Sequence, residues 1–505
     1  MQTKSLWTES VPQTEFSALT NYFDVDVAIV GGGITGLTAA ILLQRAGKHV
    51  AVIDNAQIAK GESGYTTAHL TQVLDNRYHQ LISDFGEDQA RLVAASKRAA
   101  IDCIEALTAD YRIACGFEHV PGFLYSENDT AGDLAQEAEA MGKVKISAEL
   151  LPAAPLPFKT KQAIRIDNQG QFHPRQYMLA LAAEIVRKDG HIFEHTRVTH
   201  VEDGTPCRVE FDRGHITARH VIIAANVPVT NWLFLNTKIS AYRTYALGAK
   251  LRTPLQPGLY WDTADPYHYI RTYRDPSEGD ILIVGGEDHK TGTKEDTVTC
   301  FEKLELYARA HFDIGAVPYY WSGQIIKPLD GLPYIGLNSL SKHVYVSTGY
   351  NGNGMTFGTL GAMLLTDLIL ERPSEWAALY TATRLHPLAS IGNFIAENKD
   401  VPLHMIGDRL AHGDVQTTDE IQPNEGKLIS VEGHKVAAYR DAEGSLHACS
   451  AVCPHMGGIV HWNSAESSWD CPCHGSRFTA QGKMTNGPAV SDLKPVSVPE
   501  PAAAR

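Results

Sequence analysis

The chain has 505 residues, of which 44% are hydrophobic and 20% are charged, and its formal net charge is -14 at pH 7. At about 100 to 200 residues per domain, this length predicts about three structural units, and the ordinary composition excludes a fibre, a wholly disordered chain and a small disulfide scaffold. The acidic balance and the absence of a Lys/Arg run provide no electrostatic basis for binding nucleic acid.

The first half of the sequence predicts a mixed α/β arrangement. From Asp24 to Asp54 the pattern predicts strand, tight turn, helix and strand, which is one βαβ unit. Helices are then predicted over 83–109 and 130–141 with a strand between them, followed by a helix after His173, a strand pair over 192–203 and a buried strand over 220–226. Antiparallel patterning follows from Tyr242 to Gly285, and a helix from about Thr359 to Leu370. This order indicates a cofactor domain interrupted by a sheet that covers the substrate.

The C-terminal part has a different pattern. Between about 385 and 422 the periodicity is weak, which predicts a linker. The last roughly 90 residues alternate as short strands with turns at Glu432-Gly433 and Glu443-Gly444, which predicts a small all-β domain.

Cellular location is indicated by the N-terminus and the cysteines. The first residues contain no apolar targeting segment, and no later stretch approaches about 20 apolar residues, so we expect a cytoplasmic protein without a membrane span. Four of the eight cysteines are scattered, and the others crowd into one C-terminal stretch: Cys449, Cys453, Cys471 and Cys473. This distribution predicts a metal site in a reducing compartment.

A dinucleotide site is predicted at the first strand–helix turn. Gly31, Gly33 and Gly36 form G-x-G-x-x-G, and Asp54 closes the next strand. The glycines allow backbone N–H groups to approach a pyrophosphate, and the acid can accept hydrogen bonds from ribose hydroxyls. These residues alone do not separate NAD from FAD.

Four further segments resemble the D-amino-acid oxidase/glycine oxidase superfamily of flavoproteins, and the resemblance spans roughly residues 24–385. They are GESGYTTAHL, the strands HTRVTHVED and HVIIAAN, the turn DGLPYIG, and STGYNGNGMTFGTLGAMLLTDLI. The resemblance implies FAD as the cofactor. It also implies the following FAD contacts: Ser63, Thr66, Thr67, Val198, Gly331, Gly352, Asn353, Gly354, Met355 and Thr356.

The substrate end departs from that family. Its amino-acid oxidases carry W-x-G-x-R-P, whereas this chain has WSGQIIKP, so Ile325 stands at the position of the arginine that binds the substrate carboxylate. Either another cation replaces it (Arg243, Arg271 or Arg274), or the substrate has no carboxylate there. His69, in the loop that the family places beside the flavin, and Tyr242, in an aromatic-rich strand, are the other candidate catalytic residues; for His69, covalent flavin attachment and simple packing remain alternatives.

The C-terminal domain contains C-x-H, fifteen residues, and C-x-x-H. Two thiolates and two imidazoles suit a [2Fe–2S] cluster with Cys453 and Cys471 on one iron and His455 and His474 on the other, and a zinc site is the competing interpretation.

The segment resembles the Rieske family over about 415–500. In respiratory Rieske proteins a disulfide clamps the two loops, and its partners would fall at Gly458 and Cys473. The resemblance therefore implies that Cys473 is a free thiol, and we expect a reduction potential below the respiratory class.

Together these features predict a Rossmann-like, glutathione-reductase-type α/β FAD-binding domain with an interleaved antiparallel-sheet substrate domain, followed by a small all-β Rieske domain. Residues 1–400 form the oxidoreductase domain, with FAD-binding parts at about 24–85, 160–235 and 325–385 and substrate-covering parts at about 86–160 and 236–325. Residues 401–414 form the linker, and 415–505 form the Rieske domain.

The sequence predicts an FAD-dependent oxidoreductase that oxidises an amine or amino-acid-like C–N bond and exchanges electrons between FAD and the cluster, with an external one-electron carrier as partner. Two alternatives stay open. One is an electron-transfer component without its own amine substrate, and the other is an O2-using oxidase with an accessory Rieske domain.

Overall fold

The computed structural model describes residues 3–128, 131–228, 235–294, 296–384 and 413–498. Residues 401–412 of the predicted linker lie outside the described residues, so that boundary stays a prediction. Among the described residues, none of the helices is both long and apolar enough to cross a membrane.

The α-helices are, in chain order, α1 (Leu6–Glu9), α2 (Ile34–Arg45), α3 (Tyr78–Phe85), α4 (Glu87–Asp110), α5 (Ala131–Lys143), α6 (Pro174–Arg187), α7 (Val298–His311), α8 (Gly354–Ile369) and α9 (Ala377–Tyr380). Short 3-10 helices cover Asn236–Lys238 and Thr418–Glu420. Two predicted helices are corrected here. The helix predicted to start near Thr359 starts at Gly354, because the Gly-rich turn continues into it, and the stretch predicted as one helix from Ser83 is divided at Gly86.

The strands before the C-terminal domain are β1 (Phe23–Val30), β2 (Val50–Ile53), β3 (His69–Leu70), β4 (Glu118–Ser126), β5 (Ala148–Leu151), β6 (Gln162–Gln171), β7 (His191–Phe193), β8 (Val198–Glu202), β9 (Cys207–Phe211), β10 (Gly214–Ile223), β11 (Ile239–Lys250), β12 (Leu259–Asp262), β13 (Tyr269–Asp275), β14 (Gly279–Lys290), β15 (Tyr319–Pro328), β16 (Tyr334–Leu337) and β17 (Val344–Thr348). The later strands are β18 (Glu425–Val431), β19 (His434–Arg440), β20 (Leu446–Ser450), β21 (His461–Asn463), β22 (Ser468–Asp470), β23 (Arg477–Thr479) and β24 (Met484–Asn486).

The first sheet is the predicted dinucleotide-binding sheet. Its order is β16-β17-β10-β1-β2-β7, with β8 and β9 attached beside β10, and the run from β17 to β7 is parallel. The Ala- and Leu-rich helix α2 connects β1 to β2 and, with α8, packs its buried side chains into the same core as that sheet. Ligands of open parallel sheets bind at the carboxyl ends of the strands, and Gly31 and Asp54 directly follow β1 and β2 there.

The second sheet covers the edge of the first sheet at which the cofactor is predicted to bind. Its order is β15-β11-β14-β13-β12-β4-β6-β3, with β5 beside β6. It is antiparallel as predicted except for β12 and β4, which run parallel. Helix α7, which had no counterpart among the predicted elements, packs on one face of β11 and β14.

The described part of the C-terminal domain consists of a three-stranded sheet, β18–β20, and a four-stranded sheet, β21–β24. Both are antiparallel, which confirms the predicted all-β pattern, including turns at the two predicted Glu-Gly pairs. Its own apolar core contains the buried Trp469 and Phe478. Ala465, however, joins the core beneath the second sheet, so the two domains share buried surface.

Candidate functional site

A continuous cavity of about 820 Å³ begins at the β1–α2 turn and reaches the second sheet. Segments far apart in sequence meet along its wall. The predicted FAD contacts that line it are Gly31, Gly33, Asp54, Ser63, Thr66, Thr67, Val198, Gly352, Asn353, Gly354 and Met355. The fold therefore brings most of the predicted contacts to one elongated site.

The β1–α2 turn presents backbone N–H groups to this cavity. Gly31 has a φ of +111°, and a Cβ there would lie 2.4 Å from the carbonyl oxygen of Ala224, so no larger residue fits. Gly33 caps α2 without a side-chain hydrogen bond, while Ser63 Oγ accepts one from Ile34 N at 3.1 Å. A helix start that is free of acidic side chains fits a pyrophosphate.

Asp54 is held rigidly at the end of β2. Its carboxylate oxygens accept hydrogen bonds from Gly32 N (2.8 Å) and Ala56 N (2.9 Å), and burial raises its pKa above the ordinary value. Val198 lines the same region, and the adjacent Arg197 forms an ion pair of 3.0 Å with Asp492 of the C-terminal domain. The predicted ribose and adenine end of the cavity thus lies beside the C-terminal domain.

The other end of the FAD site is the start of α8. Asn353 caps this helix without a side-chain bond to its backbone, and its Oδ1 instead accepts a hydrogen bond from Lys97 Nζ at 2.6 Å. Lys97 is fully buried, and burial lowers its pKa to about 7. Sequence reasoning missed this lysine, although a charged residue on the apolar face of α4, near Val93 and Ile101, was a visible signal.

Three predicted FAD contacts are not among the described residues that line the cavity. Gly36 packs on the carbonyl of Gly31, Gly331 lies beside the Asn76 amide, and Thr356 is fully buried in α8. Their positions indicate packing next to the site, and their contact with the cofactor stays a prediction.

His69 lies at the substrate end of the cavity with both ring nitrogens engaged. The hydroxyl of Thr67 is 3.1 Å from Nδ1, and the carbonyl of Ile270 is 3.4 Å from Nε2. Burial, and then the charge of Arg271, lower the pKa of His69 to about 3. The ring is therefore neutral at physiological pH, and its bonds suit it to position the 66–69 loop rather than to accept a proton.

We expect His69→Gln to leave the pH dependence of flavin reduction unchanged from about pH 5 to 8, the range in which an ordinary histidine titrates. The reason is that His69 stays neutral throughout this range. The measurement is anaerobic stopped-flow reduction at a series of pH values, with wild type as the reference. An ionisation that is present in wild type and absent from the variant would contradict this interpretation.

Arg243 and Tyr242 lie outside the cavity lining. The Arg243 guanidinium is buried, and its Nη2 contacts Ser322 and lies 2.5 Å from a carboxylate oxygen of Glu466 in the C-terminal domain. The ring of Tyr242 packs against Lys327 Nζ, 4.2 Å from its centroid. The structure thus does not place these two candidates with His69 among the described residues that line the cavity, because Glu466 and Lys327 engage their side chains.

The other two candidate cations are also engaged elsewhere. Arg271 is buried and donates from Nη1 to the carbonyl of Ala68 at 2.7 Å, which holds the predicted flavin loop. Arg274 is exposed and pairs with Asp280 at 2.9 Å. Ile325, at the position of the family's arginine, does line the cavity.

The four predicted cluster ligands form two pairs in the C-terminal domain, one of thiols and one of imidazoles. The rings of His455 and His474 are 4.9 Å apart and perpendicular. Nδ1 of His474 is buried and has no hydrogen-bond partner within the described ranges. A hydrogen bond with Cys471 and burial raise the pKa of Cys453 well above its usual value. A pair of adjacent thiols and a pair of facing imidazoles, one of which has an orphaned nitrogen, fit a [2Fe–2S] centre, in which each pair would hold one iron and iron would replace the thiol protons.

The two ligand loops are held without a disulfide. Cys453 N donates to Gly458 O at 2.8 Å, and Gly475 N donates to Cys471 O at 3.0 Å. Cys473 is buried and forms no disulfide with another described cysteine, as predicted. A Cβ at Gly458 would lie 2.5 Å from the sulfur of Cys473, so these two positions are neighbours, as the resemblance implied.

A buried ionic network joins the two domains. Glu466 accepts from Arg243 and also pairs with Arg477 at 2.7 Å, and Arg477 pairs with Asp470 at 2.9 Å. Glu62, in the predicted flavin loop, accepts from Asn486 Nδ2 at 2.8 Å. Several C-terminal residues consequently line the cofactor cavity: Glu466, Arg477, Phe478, Met484, Asn486 and Val490.

Comparisons with known proteins agree with this geometry. The model of the FAD dependent oxidoreductase (DAO) family matches residues 26–368, and that of the Rieske [2Fe-2S] domain matches 412–497. The Rieske 2Fe-2S iron-sulfur protein YhfW of Bacillus subtilis is 34% identical over 499 residues, covering 98% of each chain.

Two further known proteins are similar to about 70% of this chain. Gamma-glutamylputrescine oxidoreductase of Escherichia coli is 25% identical over 377 residues, which are 70% of this chain and 85% of that protein. The crystal structure of glycine oxidase from Geobacillus kaustophilus superimposes with a TM-score of 0.61 at 20% identity, covering 72% of this chain and 99% of that one. This last likeness concerns the fold.

Proposed function

Since the chain belongs to the FAD dependent oxidoreductase (DAO) family and ends in a Rieske domain, we propose that it oxidises an amine or amino-acid-like C–N bond and that the electrons leave through the Rieske domain to an external one-electron carrier. The bound FAD supplies a two-electron acceptor, and the [2Fe–2S] cluster supplies a one-electron carrier. We also propose a cytoplasmic location, which the free cysteines of the described chain support.

The observation that carries the electron-transfer proposal is the contact between the cluster loop and the cavity wall. Gln324, on β15, lines the FAD cavity and donates from Nε2 to the carbonyl of Gly475 at 2.7 Å. Gly475 directly follows the ligand His474. A Cβ on Gly475 would lie 2.3 Å from that of Ala241 on β11, so the loop packs closely against the sheet. This arrangement supports electron exchange across a short, well-packed path within one chain.

The protein's own groups have three tasks in this reaction. Within the cavity, Trp261 and Tyr269 provide apolar surface near His69 for the substrate. Neutral His69 and buried Arg271 fix the 66–69 loop. The N–H groups at the start of α8, together with Asn353 oriented by Lys97, stabilise negative charge that develops at that end of the cofactor.

The test is anaerobic reduction of the purified protein with amines, N-methylated amines and amino acids. The flavin absorbance should fall, and the rhombic electron paramagnetic resonance signal of a reduced Rieske cluster should follow. A flavin that bleaches while the cluster stays oxidised would support an oxidase with an accessory domain. Cluster and flavin that are reduced only by a reductase would support an electron-transfer component.

Gln324→Leu provides a sharper form of this test. Removing the amide breaks the bond to Gly475, so we expect cluster reduction to slow about tenfold while the preceding flavin reduction changes less. The two phases are followed by rapid-freeze spectroscopy and stopped-flow absorbance. Gln80→Leu, on the exposed surface of α3, is the matched control. Equal rates of cluster reduction in Gln324→Leu and wild type would exclude this path.

A further inference from the structure

Arg77 occupies a constrained position at the substrate end of the cavity. It immediately precedes α3 with a φ of +35°, which is uncommon for a residue with a side chain. Glu137 of α5 fixes this point, since its carboxylate accepts from Tyr78 N (2.7 Å) and His79 N (3.0 Å). The backbone directly after Arg77 is thus held in place while the side chain of Arg77 lines the cavity.

The guanidinium of Arg77 lacks a full set of partners. Its Nη1 is buried and has no hydrogen-bond partner in the part of the chain that the structure describes. Burial lowers the pKa of Arg77, and the charges of Glu137, Asp75 and Asp262 oppose that shift. Two of these acids already have other hydrogen-bond donors. Glu137 accepts from the His79 ring and Asp262 accepts from the His268 ring, each at 2.7 Å. A buried guanidinium N–H without an acceptor calls for an anionic ligand.

Asp75 is the acid that faces this cavity with Arg77. Its carboxylate lies 3.5 Å from the hydroxyl of Tyr267, and a Cβ on Gly352 would lie 2.8 Å from Oδ2. An acid beside the arginine weakens the binding of an isolated anion, whereas a ligand with both a carboxylate and an amino group satisfies both side chains. The pair therefore favours an amino-acid-like ligand.

We propose that Arg77 binds the carboxylate of an amino-acid-like substrate and so replaces the arginine that the family carries at the position of Ile325. This inference rests on the proposed amine oxidation and names its substrate class. No bond to the cofactor is involved: the substrate carboxylate accepts hydrogen bonds from the guanidinium, and Asp75 accepts from the amino group.

The test uses benzoate and its neutral isostere benzamide, titrated into the oxidised full-length protein and followed through the flavin absorbance spectrum. Wild type should bind benzoate at least tenfold more tightly than benzamide. Arg77→Met should weaken benzoate binding about 10- to 100-fold and leave benzamide binding unchanged. Asp75→Asn should strengthen benzoate binding, because it removes a like charge. Opposite effects of the substitutions at positions 75 and 77 distinguish ligand binding from a merely structural role.

Arg91→Met, at a partly exposed position of α4, is the matched control, and FAD and iron contents verify folding. If Arg77→Met does not fold, the proposed role of Arg77 is tested with Arg77→Lys and with the ratio of the wild-type affinities for benzoate and benzamide. No benzoate response, equal affinity for both probes, or unaltered benzoate affinity in the Arg77 variant would overturn the proposal. Electron transfer is not needed for this readout, so failure here leaves the proposed redox function standing.

Discussion

Replacing Arg243 with methionine is expected to lower the free energy of unfolding by about 3 to 5 kcal/mol at neutral pH. Arg243 is 1% exposed and neutralises Glu466 across the domain interface. Without it, the buried Glu466 and Asp470 share Arg477 as their cation, and an incompletely compensated charge remains in a region of low dielectric. Urea denaturation followed by tryptophan fluorescence measures the loss.

The pH dependence of this loss has a definite sign. Burial opposes ionisation of Glu466, but the charges of Arg243 and Arg477 outweigh it and hold its pKa below the ordinary value. A lowered folded-state pKa stabilises the protein above the ordinary carboxyl pKa, and this contribution is lost as the pH falls. The stability difference between wild type and Arg243→Met should therefore be largest near neutrality and should shrink as the pH falls toward about 4.

Arg208→Met is the matched control, because Arg208 forms an exposed pair with Glu210, and we expect it to change stability by less than about 1 kcal/mol. The double variant Arg243→Met with Glu466→Met should recover part of the loss, since the uncompensated carboxylate is removed. Equal stability of Arg243→Met and wild type at neutral pH would show that this network does not join the domains in solution.

Local motifs made much of the fold predictable from the sequence. The β1–α2–β2 unit depends on glycine spacing and on Asp54 within about 30 residues, and the predicted cluster ligands lie within two short loops. In such segments the chemistry requires particular residues at fixed separations. The pattern can therefore be recognised in the sequence without knowledge of the tertiary structure. The predicted family, the predicted cofactors and the sheet-rich substrate domain are confirmed.

Residues whose role depends on packing between distant segments were not predictable in this way. Arg243 and Tyr242 lie on a strand, and the sequence does not state which face of β11 meets the cofactor and which meets the Rieske domain. Arg77 and Lys97 belong to no motif, and their significance arises from burial and from the partners that they contact or lack. A charged residue at a core-facing position was the one usable sequence signal, and it applied to Lys97 alone.

A disulfide between positions 458 and 473 should be attainable by the single substitution Gly458→Cys. An ideal Cβ at position 458 would lie 3.5 Å from the Cβ of Cys473, which is within the range found in disulfides. Closing a loop of about 15 residues should raise the free energy of unfolding of the C-terminal domain by about 3 kcal/mol. Thermal loss of the cluster absorbance measures the effect, and alkylation followed by mass spectrometry counts the protected thiols.

Gly458→Ala and Gly458→Ser are the matched controls, because each adds a Cβ that would lie 2.5 Å from the Cys473 sulfur without the option of bonding to it. Overpacking of this kind costs about 1 to 3 kcal/mol, so both controls should lose the cluster at a lower temperature than wild type. Cysteine and serine have nearly the same size. If Gly458→Cys raises the temperature of cluster loss while Gly458→Ser lowers it, the gain is due to the covalent bond. If Gly458→Cys instead loses its cluster as readily as Gly458→Ser while both thiols remain free, the two loops do not approach each other closely enough to be clamped. The hydrogen bonds from Cys453 and Gly475 would then be a necessary feature of this cluster site and not a substitute for the disulfide.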